Sequence, residues 1–386
     1  MSESNSKHNK ILIVGGGPSG LMLSIVLAES SPNLEITVID KKEWPVDKVC
    51  GQGIMPGGIK LLKKYGIIDF IPKELQIPFL GVQYINQDGI TAKASFNKGI
   101  HGIGIERIVL SNALLKKAQT YPNIKLQDQT KLVMLKPGDS FTPIIEKNGA
   151  QTTLDNINII FGADGTNSQT KKFAQLESDK NVPLVRMGAR IHYAITPWTN
   201  FVQVYWNNDI EVYVTPVSNS KVELAFLWNK NSPTFKNRSL VLEDLLIFFP
   251  KLQRELETGT PLEKLKLKGP LYSSSKSFIN KNVILLGDAY YFYDAITAEG
   301  ISLSLKQAIL WGDYLKKFNF DYKKIEASTK EIRQTIVKSI IRPYNQLTHL
   351  TLLLNRFPLL RKIVIKIFQK FPKLFSALLN QKIIIS

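Results

Sequence analysis

Three glycines, at positions 15, 17 and 20 of the run Gly15-Gly16-Gly17-Pro18-Ser19-Gly20, directly follow the apolar segment Ile11-Leu12-Ile13-Val14. That order suits recognition of a diphosphate. Gly15 permits a tight turn, Gly17 lets the main chain approach the phosphates, and Gly20 lets a helix lie close to a sheet. Pro18 and Ser19 open that helix, whose first amides face the phosphates, where the helix dipole favours negative charge. Asp40 closes the next apolar segment, Ile36-Thr37-Val38-Ile39, where a carboxylate can accept hydrogen bonds from an adenosine ribose. A bare G-x-G-x-x-G is weak evidence. With a strand before it, a helix after it and an acid at this distance, it reads as a dinucleotide site.

Two later runs add to this reading. In Ile159-Ile160-Phe161-Gly162-Ala163-Asp164-Gly165-Thr166-Asn167-Ser168 an apolar strand ends at a turn carrying one acid, and Thr166 or Ser168 can cap the next helix. Alone it is a common turn. In Val283-Ile284-Leu285-Leu286-Gly287-Asp288-Ala289 an acid again follows a buried strand, placed to hold a ribityl hydroxyl. The segment Thr297-Ala298-Glu299-Gly300-Ile301-Ser302 then opens a helix whose free amides suit the negative charge of a reduced flavin ring.

These motifs, in this order, resemble the FAD-dependent oxidoreductase superfamily of aromatic hydroxylases, geranylgeranyl reductases and flavin-dependent halogenases. Lys48-Val49-Cys50-Gly51-Gln52-Gly53 and Thr297-Ala298-Glu299-Gly300-Ile301 are most similar to the geranylgeranyl-reductase-like branch, which has K-x-C-G and T-G-E-G-I segments. The resemblance spans most of residues 10–315. It implies that Gly15, Gly17 and Gly20 hold the FAD pyrophosphate and Asp40 the adenosine ribose. It implies that Arg107 binds FAD phosphate, and that Asp164 and Gly165 match an Asp-Gly motif linked to FAD and to reduced nicotinamide. Asp288, after Gly287, would hold the ribityl chain, and the backbone of Gly300 and Ile301 the flavin ring. The sequence departs from the family in places. Asp40 stands where Glu is usual, Ala298 replaces a glycine, Ala295 replaces a proline, and no His stands at Tyr290. The halogenase W-x-W-x-I-P motif is absent, which disfavours halogenation. Cys50 reads either as a residue lining the site or as a small buried side chain, and Lys48 either as a flavin or substrate contact or as a solvated lysine.

The elements needed to position these residues imply an α/β fold. A discontinuous Rossmann-like FAD-binding domain is expected over 1–80, 98–176 and 273–322. A mostly antiparallel substrate domain is expected as a hairpin at 81–97, around Gln87-Asp88-Gly89, and a sheet at 177–272. Segments near 186–196, 202–206, 211–216 and 222–228 alternate apolar and polar residues, as half-buried strands do. Helices are expected over Pro56 to Tyr65, Arg107 to Thr120 and 240–257, with a strand near 266–272 and a long helix from Glu299. A basic helical region is expected over 323–386.

Composition bounds the rest. Fifty Lys and Arg against 32 Asp and Glu give a net charge of +18, and ten basic residues with no acid lie after Glu331. One cysteine excludes an intrachain disulfide and fits a reducing compartment. The polar start Met1 to Lys10 does not resemble a signal peptide, so a cytoplasmic location is expected. In the tail, Phe357-Pro358-Leu359-Leu360, Ile363-Val364-Ile365 and Phe371-Pro372 interleave with Arg and Lys. Short helices broken at the prolines would either lie on an anionic membrane from the inner face or cap the FAD domain. No nucleic-acid motif accompanies the charge.

The expected reaction begins with reduction of FAD by NADPH or NADH. Oxygen insertion into an apolar or aromatic small molecule is the first reading, since hydroxylation is the commoner activity of the superfamily; it needs a dry pocket under the inserted sheet. Hydrogenation of an isoprenoid double bond is the second. A flavin-containing accessory or membrane-binding protein without turnover is the third. No catalytic acid, base or metal ligand is evident.

Overall fold

The apolar run of the first strand lies in the middle of a six-stranded sheet ordered Ile279–Asn280, Val283–Leu285, Ile159–Gly162, Lys10–Val14, Glu35–Ile39 and Ile124–Gln127. All neighbours are parallel except the edge strand Ile279–Asn280. Leu12, Ile13, Ile160 and Ile284 are fully buried because helices cover the sheet, and such strands read as continuous apolar runs. The helices Pro18–Ser30, Arg107–Gln119 and Gly300–Lys317 pack against one another around the first of them. The computed structural model describes residues 9–176, 185–235 and 240–385, so the expected boundary at 177 and the polar start lie outside or at the edge of the described residues.

The inserted sheet forms from the expected segments, with one exception to its antiparallel pattern. Its strands are buried along nearly their whole length rather than half-buried, because apolar clusters pack against both faces. Strands Arg186–Ala194, Lys221–Asn229, Ile210–Ser218 and Val202–Asn207 run antiparallel in that order. Val202–Asn207 then pairs in parallel with Gly81–Asn86, which forms a hairpin with Thr91–Ser95. One face of this sheet packs Ile191, Val212, Leu224 and Phe226 against the helices Leu242–Leu246 and Pro250–Glu255. Pro250 splits the single helix expected there into two. Gly269-Pro270 likewise splits the strand expected near 266–272 into Lys266–Lys268 and Tyr272–Ser274. A separate antiparallel meander, Thr130–Lys136, Thr142–Lys147 and Ala150–Thr153, was not anticipated.

The basic region divides: Ile325, Ile332 and Ile336 join the core of the dinucleotide-binding domain, whereas the end of the tail does not cap that domain. Its last helices, Pro358–Lys370 and Pro372–Ile385, each have proline at the first position and pack on the hairpin of the inserted sheet. Ile365, Phe375 and Leu379 join a core with Phe79, Ala92, Ala94 and Trp206. The reason is the edge strand Thr91–Ser95, whose outer groups need partners. Ser376 Oγ accepts from Ser95 N at 3.0 Å, and Asn380 Nδ2 donates to Ser95 O at 2.9 Å. Among the described residues, no helix is long and apolar enough to cross a membrane.

Candidate functional site

The glycine turn shows which positions are closed and which are open. A Cβ on Gly20 would lie 2.0 Å from Gly15 O, and one on Gly15, at φ +117°, would lie 2.4 Å from Ala163 O. These two glycines allow close packing. Gly17, which caps the helix Pro18–Ser30, has nothing within 4 Å of where its Cβ would stand. The first amides of that helix have no intrahelical partner and border the same space. Asp40 does not line it. Its Oδ2 accepts from Gly16 N at 2.8 Å and its Oδ1 from Lys42 N at 2.9 Å, so the carboxylate braces the turn.

A cavity of about 760 Å³ begins there. Of the residues singled out in the sequence, Gly17, Pro18, Ser19, Lys48, Cys50, Arg107, Gly165, Asp288, Gly300 and Ile301 line it, whereas Gly15, Gly20, Asp40, Asp164 and Gly287 do not. Arg107, 6% exposed at the start of its helix, has no acidic partner among the described residues. Lys48 Nζ lies 3.3 Å from Asp288 Oδ2. Gly287, at φ +62°, donates its N–H to Gln307 Oε1 at 3.1 Å and so turns the chain toward Asp288. Gly300 opens the helix Gly300–Lys317 with free space beside it. An open glycine at a helix start, a buried guanidinium without an acid, and a second helix start on the same cavity fit a flavin dinucleotide. Its diphosphate would lie between Gly17 and Arg107, and its ring toward Gly300 and Ile301.

Asp164 is engaged by its own loop. Ser168 Oγ donates to its Oδ1 at 2.5 Å, and the amides of Gln169 and Thr170 donate to its Oδ2 at 2.8 and 3.0 Å. Its carboxylate thus secures the start of the helix Gln169–Phe173, whose cap is Ser168. Gly165, at φ +81°, remains on the cavity.

Sequence reading missed the polar wall that the inserted sheet contributes. Arg190, 1% exposed, donates Nη1 to Asp47 Oδ1 and Nη2 to Asp47 Oδ2, both at 2.8 Å, tying the inserted sheet to the dinucleotide-binding domain. His192 Nδ1 is 2.7 Å from Glu263 Oε1, and its Nε2 is 2.9 Å from Gln52 Oε1. Burial and the neighbouring Arg190 lower the His192 pKa below the ordinary 6.5, which favours the neutral ring at pH 7. The Arg190 guanidinium, helped by Lys266, holds Asp47 well below the usual 3.8 against the opposing effect of burial. A depressed carboxylate pKa adds stability above the unfolded value that is lost as pH falls through the folded one. Asp47→Asn is therefore expected to lower unfolding free energy by about 1–2 kcal/mol at neutral pH. The difference should shrink steadily below the ordinary 3.8, as read by denaturant midpoints against pH. A penalty that does not change with pH would contradict this role.

Beyond the flavin end, the cavity continues between the inserted sheet and the tail. Val82, Val202 and Val204 form one wall and Leu347, Leu354 and Phe375 the other. The tail's contribution was hidden because only long-range packing brings it there.

The comparisons with known proteins agree with this geometry. A family model described as FAD binding domain matches residues 8–315. Squalene monooxygenase of Mus musculus is 24% identical over 80% of this chain and 54% of its own length. Digeranylgeranylglycerophospholipid reductase 3 of Methanosphaera stadtmanae is 24% identical over 82% of this chain and 80% of its own. The chain spans about half the length of the mouse and rat squalene monooxygenases. Among solved structures, p-nitrophenol 4-monooxygenase of Pseudomonas putida superposes with a TM-score of 0.76 at 14% identity, covering 94% of this chain and 93% of that one.

Proposed function

The chain belongs to the FAD-binding domain family, an FAD-dependent oxidoreductase lineage, and on that premise we propose that it is a monooxygenase acting on an apolar or aromatic molecule with reduced nicotinamide as electron donor. One observation carries the reading: a single cavity runs from the Gly17 diphosphate cradle past Gly300 into the apolar space under the tail. Bound FAD would accept hydride from NADPH or NADH and pass the electrons to dioxygen. The chain's own residues supply the rest. Gly17 and Arg107 hold the diphosphate, and Asp288 the ribityl chain. The main-chain amides at the helix start of Gly300 would favour negative charge on a flavin ring held beside them. The inserted sheet and the tail exclude water from the reacting face.

A second reading, hydrogenation of an isoprenoid double bond, is favoured by the Lys48–Gly53 segment, whose Cys50 lines the cavity. Oxygen uptake separates the two. Monooxygenation consumes one dioxygen per reduced nicotinamide and substrate, whereas hydrogenation proceeds without oxygen. Substrate-dependent oxidation of the reduced protein under strict anaerobiosis would replace the first reading with the second.

The reading extends to an anionic membrane surface reached from its cytoplasmic side. Leu359, Ile363 and Phe371 are 79%, 56% and 53% exposed, beside the basic Lys362, Lys366 and Lys370. Apolar anchors among cations suit an anionic interface. Removing the tail is a poor test, because it would also strip a wall of the cavity. Leu359→Asp with Ile363→Asp is instead expected to cut co-sedimentation with phosphatidylserine-containing vesicles about tenfold while FAD content stays constant. Unchanged sedimentation would remove the membrane from the account.

A further inference from the structure

We propose that the space between the inserted sheet and the tail receives a neutral, elongated apolar molecule bearing one hydrogen-bonding oxygen, and that the Tyr84 hydroxyl holds that oxygen. The inference deepens the monooxygenase reading and rests on it for the nature of the bound molecule. Tyr84 lies on the strand Gly81–Asn86, in register with Val204, and both line the cavity. Its ring is fixed from two sides, by Trp206 at 5.7 Å between centroids and by Phe375 of the tail at 5.0 Å.

Other tyrosine hydroxyls around the site are engaged. That of Tyr213 donates to Ile296 O, that of Tyr344 donates to Asp294 O, and that of Tyr291 accepts from Asn345 Nδ2 at 2.6 Å. The Tyr84 hydroxyl has no hydrogen-bond partner among the described residues. Burial pushes its pKa up to about 12, so it stays a protonated donor and acceptor. On a half-buried side chain that lines the cavity, this hydroxyl is free to bond an oxygen brought by a ligand in place of water.

The surroundings set the class of ligand. Around Tyr84 the walls are valine, leucine and phenylalanine, with Val82 and Leu354 facing across the space. Of the charged residues on the cavity, Lys48 pairs with Asp288, Arg190 with Asp47 and Lys268 with Thr166 at 3.0 Å, while Arg107 stands at the diphosphate end and Glu299 at the start of the helix Gly300–Lys317. Among the described residues no ionic group acts on Tyr84, so the oxygen belongs to an alcohol, carbonyl or ether rather than a carboxylate. Anchoring that oxygen also decides which carbon reaches the Gly300 end, making Tyr84 a residue that sets specificity.

The test uses the FAD-loaded full chain and two probes that differ only in oxygen, 1-dodecanol and n-dodecane. Dissociation constants are read from the change in the flavin absorption bands. The native chain should bind the alcohol about tenfold more tightly, as one hydrogen bond permits. Tyr84→Phe should lower alcohol affinity to that of the alkane, leaving alkane binding and FAD content as they were. An alcohol preference that survives in Tyr84→Phe, or failure of both probes to bind, would overturn the proposal. Alcohol selectivity lost in Tyr84→Phe, in a chain that never consumes oxygen, would uphold it and count against the monooxygenase reading alone.

Discussion

Gly17→Val is expected to yield a folded but colourless protein. The added Cβ would meet no protein atom within 4 Å beyond its chain neighbours, so the apo-protein should keep most of its stability. The new atoms would instead fill the space where the main chain must approach the diphosphate. FAD content should fall from about one per chain to below about a tenth. Gly20→Ala provides the contrast. Its Cβ would stand 2.0 Å from Gly15 O, so the loss there is of folding as well as of flavin. The pair thus separates a glycine needed for the ligand from one needed for packing. The absorbance ratio of flavin to protein, set beside a thermal melt, reads both effects. A yellow, fully loaded Gly17→Val would contradict the placement of the diphosphate.

The second large effect is expected at Arg186. This residue, 1% exposed, donates Nη1 to Asp294 Oδ1 at 2.9 Å and Nη2 to Glu211 Oε1. Glu211 is fully buried, and its Oε2 accepts from Asn355 Nδ2 of the tail at 2.5 Å. One guanidinium therefore neutralises two buried carboxylates and joins the inserted sheet, the tail and the turn before the helix start at Gly300. Asp294 Oδ1 also accepts from Ile296 N at 2.9 Å, and Ala298 in the same turn sits at φ +55°. That turn is held against its own preferences by its neighbours. Arg186→Met leaves both carboxylates without their cation, at a cost of about 3–5 kcal/mol in unfolding free energy. Adding Glu211→Gln should recover part of this, since only one buried acid then remains unpaired. Denaturant midpoints decide the matter. A single variant within about 1 kcal/mol of the native chain would show that the network does not carry the stability assigned to it.

Local chemistry made the dinucleotide-binding domain readable in the sequence. Ile11–Val14 and Val283–Leu286 announce buried parallel strands, and Gly15 and Gly20 each do one packing job that a larger residue would spoil. The hairpin turning at Asp88-Gly89 was readable for the same reason. The meander over 130–153 was missed although Asn148-Gly149, both at positive φ, is a strong two-residue hairpin turn. Pairings set by the whole fold were not readable. Nothing near Arg186 announces Glu211, Asp294 and Asn355, and nothing near Asp47 announces Arg190. The role of Asp164 fell between these cases. Its Asp-Gly pair suggested a cofactor contact, yet Ser168 and the amides after it show a carboxylate engaged by its own loop. The tail's charge was visible, but its seat on the Thr91–Ser95 edge depended on strand pairing that spans more than a hundred residues.

A crystal structure of the chain loaded with FAD would decide most directly whether one cavity serves both cofactor and substrate. The account places the diphosphate between Gly17 and Arg107, the ribityl chain beside Asp288, and the ring edge at Gly300 and Ile301, open to the space walled by Val204 and Leu354. Flavin bound elsewhere, or a ring sealed off from that space by protein, would contradict it.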